Sequence, residues 1–337
     1  MRFALTIQGF IVSVGMVSLM GACGGSDDDG GSRVDAGDGN GAEGGVTYVS
    51  EMRVPSISGG VPTCCKDFGE LSKPYIEDER DAIDNAFAQL GSALSTFGFD
   101  MQAAMTASVE EGQVVVLFDH TDLTGENDTF RLDGYFGAFA GGTSYAEASA
   151  GQGSFAIEPH SFDGAGNPLI RFDNASMDGG SLLAGPAVVG VSFPVTGGAL
   201  DLQLHAAEVT GDATISSNGV TYANGTIAGY LLLENIFGAA NDFLNSDGCA
   251  CLNLGGRDIF VQVDEEWDAE CLTSAEQDAQ TCDEDSGCLT LASGLLCGGL
   301  PTILESEADI RTDAGSSVYQ GLSVGWSFSG VPAEIVD

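Results

Sequence analysis

One Gly-x-Ser-x-Gly occurs, Gly321-Leu322-Ser323-Val324-Gly325. In a hydrolase this motif exposes a serine on a strand-to-helix turn, with an acid and a histidine to activate it. Here no histidine follows Ser323 and the surrounding pattern is that of a strand, so Ser323 is expected to be structural. His120-Thr121-Asp122, with Glu126, Asp128 and Asp133, places cation ligands on loops between two strands. Asp119, Asp122 and Asp128 are the calcium candidates, against the simpler expectation of solvated acids in turns. Asp163-Gly-Ala-Gly-Asn167 and Asp173-Asn174 are weaker sites of the same kind. Glu158 and Asp173 can be written as paired glycosidase carboxylates, as can many other acid pairs in this chain. There is no P-loop, dinucleotide fingerprint, HExxH or haem-attachment motif, and no catalytic residue is assigned.

The nine cysteines point to export. Cys23 stands apart, after the only long apolar run near the start. The other eight, Cys64, Cys65, Cys249, Cys251, Cys271, Cys282, Cys288 and Cys297, are an even set and read as four disulfides with 105 possible pairings. Zinc is disfavoured, because the spacings are CC and CxC and the three histidines lie far from them in sequence. Adjacent cysteines seldom bond to each other. Cys64 and Cys65 are therefore expected to reach two distant partners, with Cys249 and Cys251 the choice.

Residues 1–23 have the layout of a signal peptide: Arg2, an apolar middle from Phe3 to Met20, then Gly21-Ala22 before the cysteine. Residues 1–22 are read as the signal. Residues 23–45, nearly all Gly, Asp and Ser, are read as a flexible acidic tether. A domain from residue 46 to 337 follows. The chain has 10 basic and 50 acidic residues, net charge −40, and removal of Arg2 with the signal makes it one unit more negative. No basic footprint for nucleic acid exists.

Residues 74–98 are expected to form a helix, with Ile83, Phe87, Leu90, Leu94 and Phe97 on one face. A second helix is expected over 100–111, carrying Met101, Met105 and Val109. From residue 113 the period becomes that of strands, at 113–119, 129–137 (Phe130, Leu132 and Tyr135 on one face), 153–158, 169–174, 181–184, 188–195, 200–209, 213–217, 220–223 and 226–233. Asn218-Gly219 and Asn224-Gly225 read as hairpin turns. A helix is expected at 233–245. Residues 246–305 form a cysteine-rich helical insertion, with a helix near 266–280 and Cys271 and Cys282 on one face. Strands return at 308–312 and 318–328, the last with Leu322, Val324, Trp326 and Phe328 inward and Ser323, Gly325, Ser327 and Ser329 wet. The fold class is mainly β: a sandwich or barrel-like sheet domain with an N-terminal helix and a disulfide-stapled helical segment, α+β overall.

The Met-Gly-Ala-Cys ending at Cys23 resembles a bacterial lipobox, in which the cysteine thiol is lipidated. Gly24 after it implies the outer membrane. Beyond that, Cys23–Asp29, Asp84-Asn85-Ala86…Leu90, Ala184-Gly185-Pro186 and Asn224-Gly225-Thr226-Ile227-Ala228-Gly229 resemble a group of secreted lipoproteins of Gram-negative bacteria. The group often carries an acidic calcium-type loop before its Asp-Asn pair. The matching stretch here, residues 76–83, lacks the glycines and contains Arg80. The resemblance implies an anchored, exported, β-rich domain and no mechanism.

The expected function is thus a lipid-anchored cell-envelope protein with a non-catalytic binding or structural role. It has no cofactor, unless calcium binds, and a protein or glycan as an unspecified ligand. The alternatives are a secreted hydrolase with a dispersed acidic site and a calcium-dependent adhesion protein.

Overall fold

The computed structural model describes residues 45–58, 61–73, 83–95, 100–195, 198–264, 266–282 and 287–336. They belong to one compact unit, Gly41–Asp337. Alternating apolar and polar residues give the strands β1 (Val46–Arg53), β2 (Val116–Thr121), β3 (Asn127–Phe139), a short β4 (Ser154–Ile157), β5 (Ile170–Asp178), β6 (Ser181–Val195), β7 (Gly198–Ser216), β8 (Gly219–Leu232) and β9 (Gly321–Ile335). Eight of them close an antiparallel barrel in the order β1-β2-β3-β5-β6-β7-β8-β9, with β9 pairing back onto β1. Each barrel strand lies beside the next one in the chain, so the barrel itself has no open edge. β4 bridges the tails of β3 and β9, and its Phe155 packs with Tyr48, Phe139 and Leu117 in a second, smaller core on the outer face of the barrel. Of the two expected architectures, the barrel is the one formed.

The strand period decides which side faces water. On β7, Leu204, Ala207, Val209 and Ala213 are buried inside, while Asp201, Gln203, Asp212, Thr214 and Ser216 are exposed outside. This apolar-in, polar-out pattern is the reverse of a transmembrane barrel, whose outer face carries an apolar band. Among the described residues no helix is long and apolar enough to cross a membrane.

Four sequence readings are corrected here. The first hairpin forms one residue earlier than read, turning at Ser217-Asn218 with Gly219 opening β8, and Asn224-Gly225 is a bulge inside β8, where the register shifts against both neighbours. Asn224 takes φ 50°, the left-handed conformation that the dipeptide favours in turns and bulges alike. A Cβ at Gly225 would stand 2.5 Å from the Phe328 ring, so the glycine makes room for that ring. The segments read separately as 181–184 and 188–195 are one strand, as are 200–209 with 213–217 and 220–223 with 226–233. Tyr135 does not share a face with Phe130 and Leu132. An odd spacing puts it outside, beside Phe162.

Two helices separate β1 from β2: α1 (Ala86–Ser95) and α2 (Met101–Glu110). Residues 74–82, expected to begin the first helix, lie outside the described residues. Asp100 caps α2 by accepting from the Ala103 N–H, and Gln102 ties that helix to the end of β1 through the Val54 N–H and the Met52 carbonyl. The start of α1 is pinned to β9. Asn85 Nδ2 donates to the Gly325 carbonyl and the Ala86 N–H donates to Ser323 Oγ. Ser323 Oγ in turn donates to the buried Asp309 carboxylate. Ser323 is therefore fully buried rather than wet, because α1 and the segment around Asp309 cover the outer face of β9 there.

β8 runs directly into α3 (Leu233–Leu244), whose Phe237, Phe243 and Leu244 are buried. The insertion after it holds a hairpin (Phe260–Val263 with Glu266–Ala269) and α4 (Ser274–Ala279), α5 (Gly287–Ala292) and α6 (Gly294–Glu307). Glu266–Ala269 is thus strand rather than helix. The expected strand at 308–312 reduces to isolated bridges at Ile310.

The cysteine expectations are corrected as well. Cys64 bonds to Cys65, Cys249 to Cys288, Cys251 to Cys282 and Cys271 to Cys297. Cys65 lies against β9 at Gly325, whereas Cys249 and Cys251 sit within the insertion and each faces a partner there. Cys271 and Cys282, read as sharing a helix face, lie in irregular chain on either side of α4.

Candidate functional site

The two halves of the barrel are filled differently. Around the end where residue 45 enters, the inward side chains are large: Phe118, Phe130, Leu132, Tyr222 and Phe328, nearly all fully buried. Phe328 lies 5.8 Å from both the Phe118 and Tyr222 rings. His120 completes this plug. Its Nδ1 faces the Gly45 carbonyl, which only accepts, so Nδ1 carries the proton and Nε2 accepts from the Tyr222 hydroxyl. Burial lowers its pKa to about 4, against the smaller opposing pull of the Gly45 carbonyl, so the imidazole stays neutral.

Toward the other end the inward positions are smaller: Val116 on β2, Val189 on β6, Ala207 on β7 and Ile227 on β8. The barrel does not narrow to compensate, and a cavity of about 400 Å³ remains. Phe118 and Phe172 line it toward the plug, and Phe136, Leu204 and Trp326 line it higher up. The Trp326 ring is backed by Phe87 of α1, 5.4 Å away. Met105 of α2 closes part of the upper rim. The polar lining is confined to Gln113, Glu158 and His160. His160 and Gln113 are exposed and Glu158 half-buried, so the cavity opens to solvent beside them. Glu158 is placed by its backbone, which donates to the Phe136 carbonyl and accepts from Ser161. His160 stacks on the Phe136 ring at 5.6 Å.

The acids singled out in the sequence are dispersed. Asp128 accepts from the Thr124 side chain and from the Thr124 and Thr129 N–H groups, bonds that hold its carboxyl below the usual range. Asp122 is an exposed turn residue with φ 68°. Asp119 lies on the outer face of β2, where burial and the Asp133 charge raise its pKa. Asp133 is itself ion-paired with Arg131. Asp163 closes its own turn through Ala165 and Asn167. Asp173 is paired with Arg171 on the exposed surface, away from the cavity that Glu158 lines. Among the described residues no three His, Cys, Asp or Glu side chains gather as a metal site. Cys23 and most of the stretch 76–83 lie outside the described residues.

No motif marks the cavity. Its walls are single residues from almost every strand, and only the run of small inward residues at Val189, Val191 and Ala207 hints at unfilled space. A second cleft of about 300 Å³, lined by Glu234, Trp267, Glu305 and Tyr319, lies between the insertion and the start of β9. No family model, curated protein or solved structure matches this chain at significance.

Proposed function

We propose that this chain is a non-catalytic carrier of the cell envelope, holding a small apolar molecule inside its barrel and anchored to the outer membrane through lipidated Cys23. The observation that supports binding is the apolar cavity of about 400 Å³. Its volume falls in the range of small-molecule sites, and its few polar groups lie together at the opening, as such sites require. At about 30 Å³ per liquid water molecule, the space suits a ligand on the order of a dozen non-hydrogen atoms. The support for anchoring is the apolar run ending in Gly21-Ala22-Cys23.

Both parts are testable. A neutral fluorophore such as N-phenyl-1-naphthylamine should bind with enhanced emission. Ala207→Trp should weaken that binding about tenfold or more, since its indole fills the cavity, while leaving thermal stability equal or higher. Unchanged binding in this variant would sink the barrel as the site. Independently, Cys23→Ser should move the protein from the membrane fraction to the soluble fraction, and retention in the membrane would refute the anchor.

A further inference from the structure

We infer that the ligand is a single-chain amphiphile with a cationic amino head, its alkyl chain inside the barrel and its head beside Glu158. This rests on the barrel cavity being a ligand site, and adds the chemistry of the occupant.

Among the described residues that line the cavity, Glu158 is the only formally charged acid or base. Among the described residues no basic side chain lies within ion-pair distance of it. The basic side chains of the neighbouring strands are engaged elsewhere, Arg131 with Asp133 and Arg171 with Asp173 on the outer surface. Glu158 is half-buried at the edge of an apolar cavity with no counter-charge beside it, which favours a cation arriving with the ligand. Phe136, whose carbonyl accepts from the Glu158 N–H, lines the same cavity and brings an aromatic ring to that part of its wall. A carboxylate-headed amphiphile would meet like charge at the rim and a chain of net charge −40 around it. Gln113 and His160, on the same rim, can hydrogen-bond the remaining head-group protons.

The test compares decylamine, decanol and decanoate, equal in chain length, by displacement of N-phenyl-1-naphthylamine from the full chain. Decylamine should bind about five- to tenfold tighter than decanol, with decanoate weakest. Glu158→Gln should bring decylamine down to the affinity of decanol and leave decanol itself unchanged. Equal affinities for amine and carboxylate, or an amine preference that survives Glu158→Gln, would overturn the head-group assignment while the cavity stands. Failure of all three to displace the bound fluorophore would overturn the amphiphile assignment while the cavity stands, and failure of the fluorophore itself to bind would remove the cavity as a ligand site.

Discussion

Asp84→Asn is expected to stabilise the protein at pH 8 and to do nearly nothing at pH 4. Asp84 is almost fully buried in front of α1, and burial, reinforced by the neighbouring Asp309 charge, raises its pKa to about 7 against the bond it accepts from the Phe68 N–H. In the unfolded chain the same carboxyl titrates near 4. Between these values the native state holds a proton that the unfolded state has lost. Stability from this group is therefore complete below about pH 4 and falls as pH rises, until the loss is full above about pH 7. A shift of this size corresponds to about 2–4 kcal/mol. Asparagine keeps an oxygen for the Phe68 N–H and removes the charge, so the unfolding free energy from urea titration should rise by that amount at pH 8, with a higher midpoint, and stay level at pH 4. An equal effect at both pH values would show that Asp84 is not the titrating group. His120 works in the opposite sense. Its native pKa lies below the unfolded value of about 6.5, so its contribution is present above pH 6.5 and declines as pH falls toward 4. The two slopes offset each other between pH 4 and 6.5, and Asp84→Asn should unmask the His120 slope.

Phe328→Ala should be the most damaging single core substitution in the plug. The ring is fully buried between Phe118 and Tyr222, and Gly225 is shaped around it. Deleting such a ring costs about 3–5 kcal/mol, a large share of the stability of an ordinary domain. The barrel cannot collapse onto the gap without breaking ladder bonds on both sides of β9. The void should also deepen the cavity from below and shift its preference toward longer alkyl chains. Chemical unfolding measures the first effect and a chain-length series the second. A loss under about 1 kcal/mol would show that the plug repacks.

The strands from β2 onward were legible because their faces differ, whereas β1, Val46–Arg53, was not read as a strand. Alternation in Thr129–Gly137 and Leu322–Phe328 shows which residues are apolar, and only an error of parity misplaced Tyr135. Helix α2 was legible from Asp100 and the spacing of Met105 and Val109. What could not be read was closure, which depends on β1 pairing with β9 more than 270 residues away, as in Thr47 opposite Pro332. Asn224-Gly225 misled for a physical reason: the left-handed conformation serves a bulge as well as a turn. Ser323 misled because alternation reports one neighbouring layer, and α1 supplies a second. The cavity was invisible because it is defined by atoms that are missing between strands. Glu158 was singled out, but for glycosidase chemistry with Asp173, which faces the other way.

The Gly45 carbonyl is bound by His120 at the plugged end of the barrel, while Glu158 and His160 stand at the open end. A tether leaving from Gly45 would therefore meet the cup at its base. With Cys23 as the point of attachment, 22 residues, reaching at most about 75 Å, lead to that base. If the chain is the proposed carrier, its rim would face a donor or acceptor on the far side from the attachment point. Exchange with such a donor or acceptor would not require the barrel to let go of its leash or turn over. Moving the leash to the C-terminal end of β9 would be a conservative change, since Ala333 pairs with Val46 beside the same base, and loading should survive it.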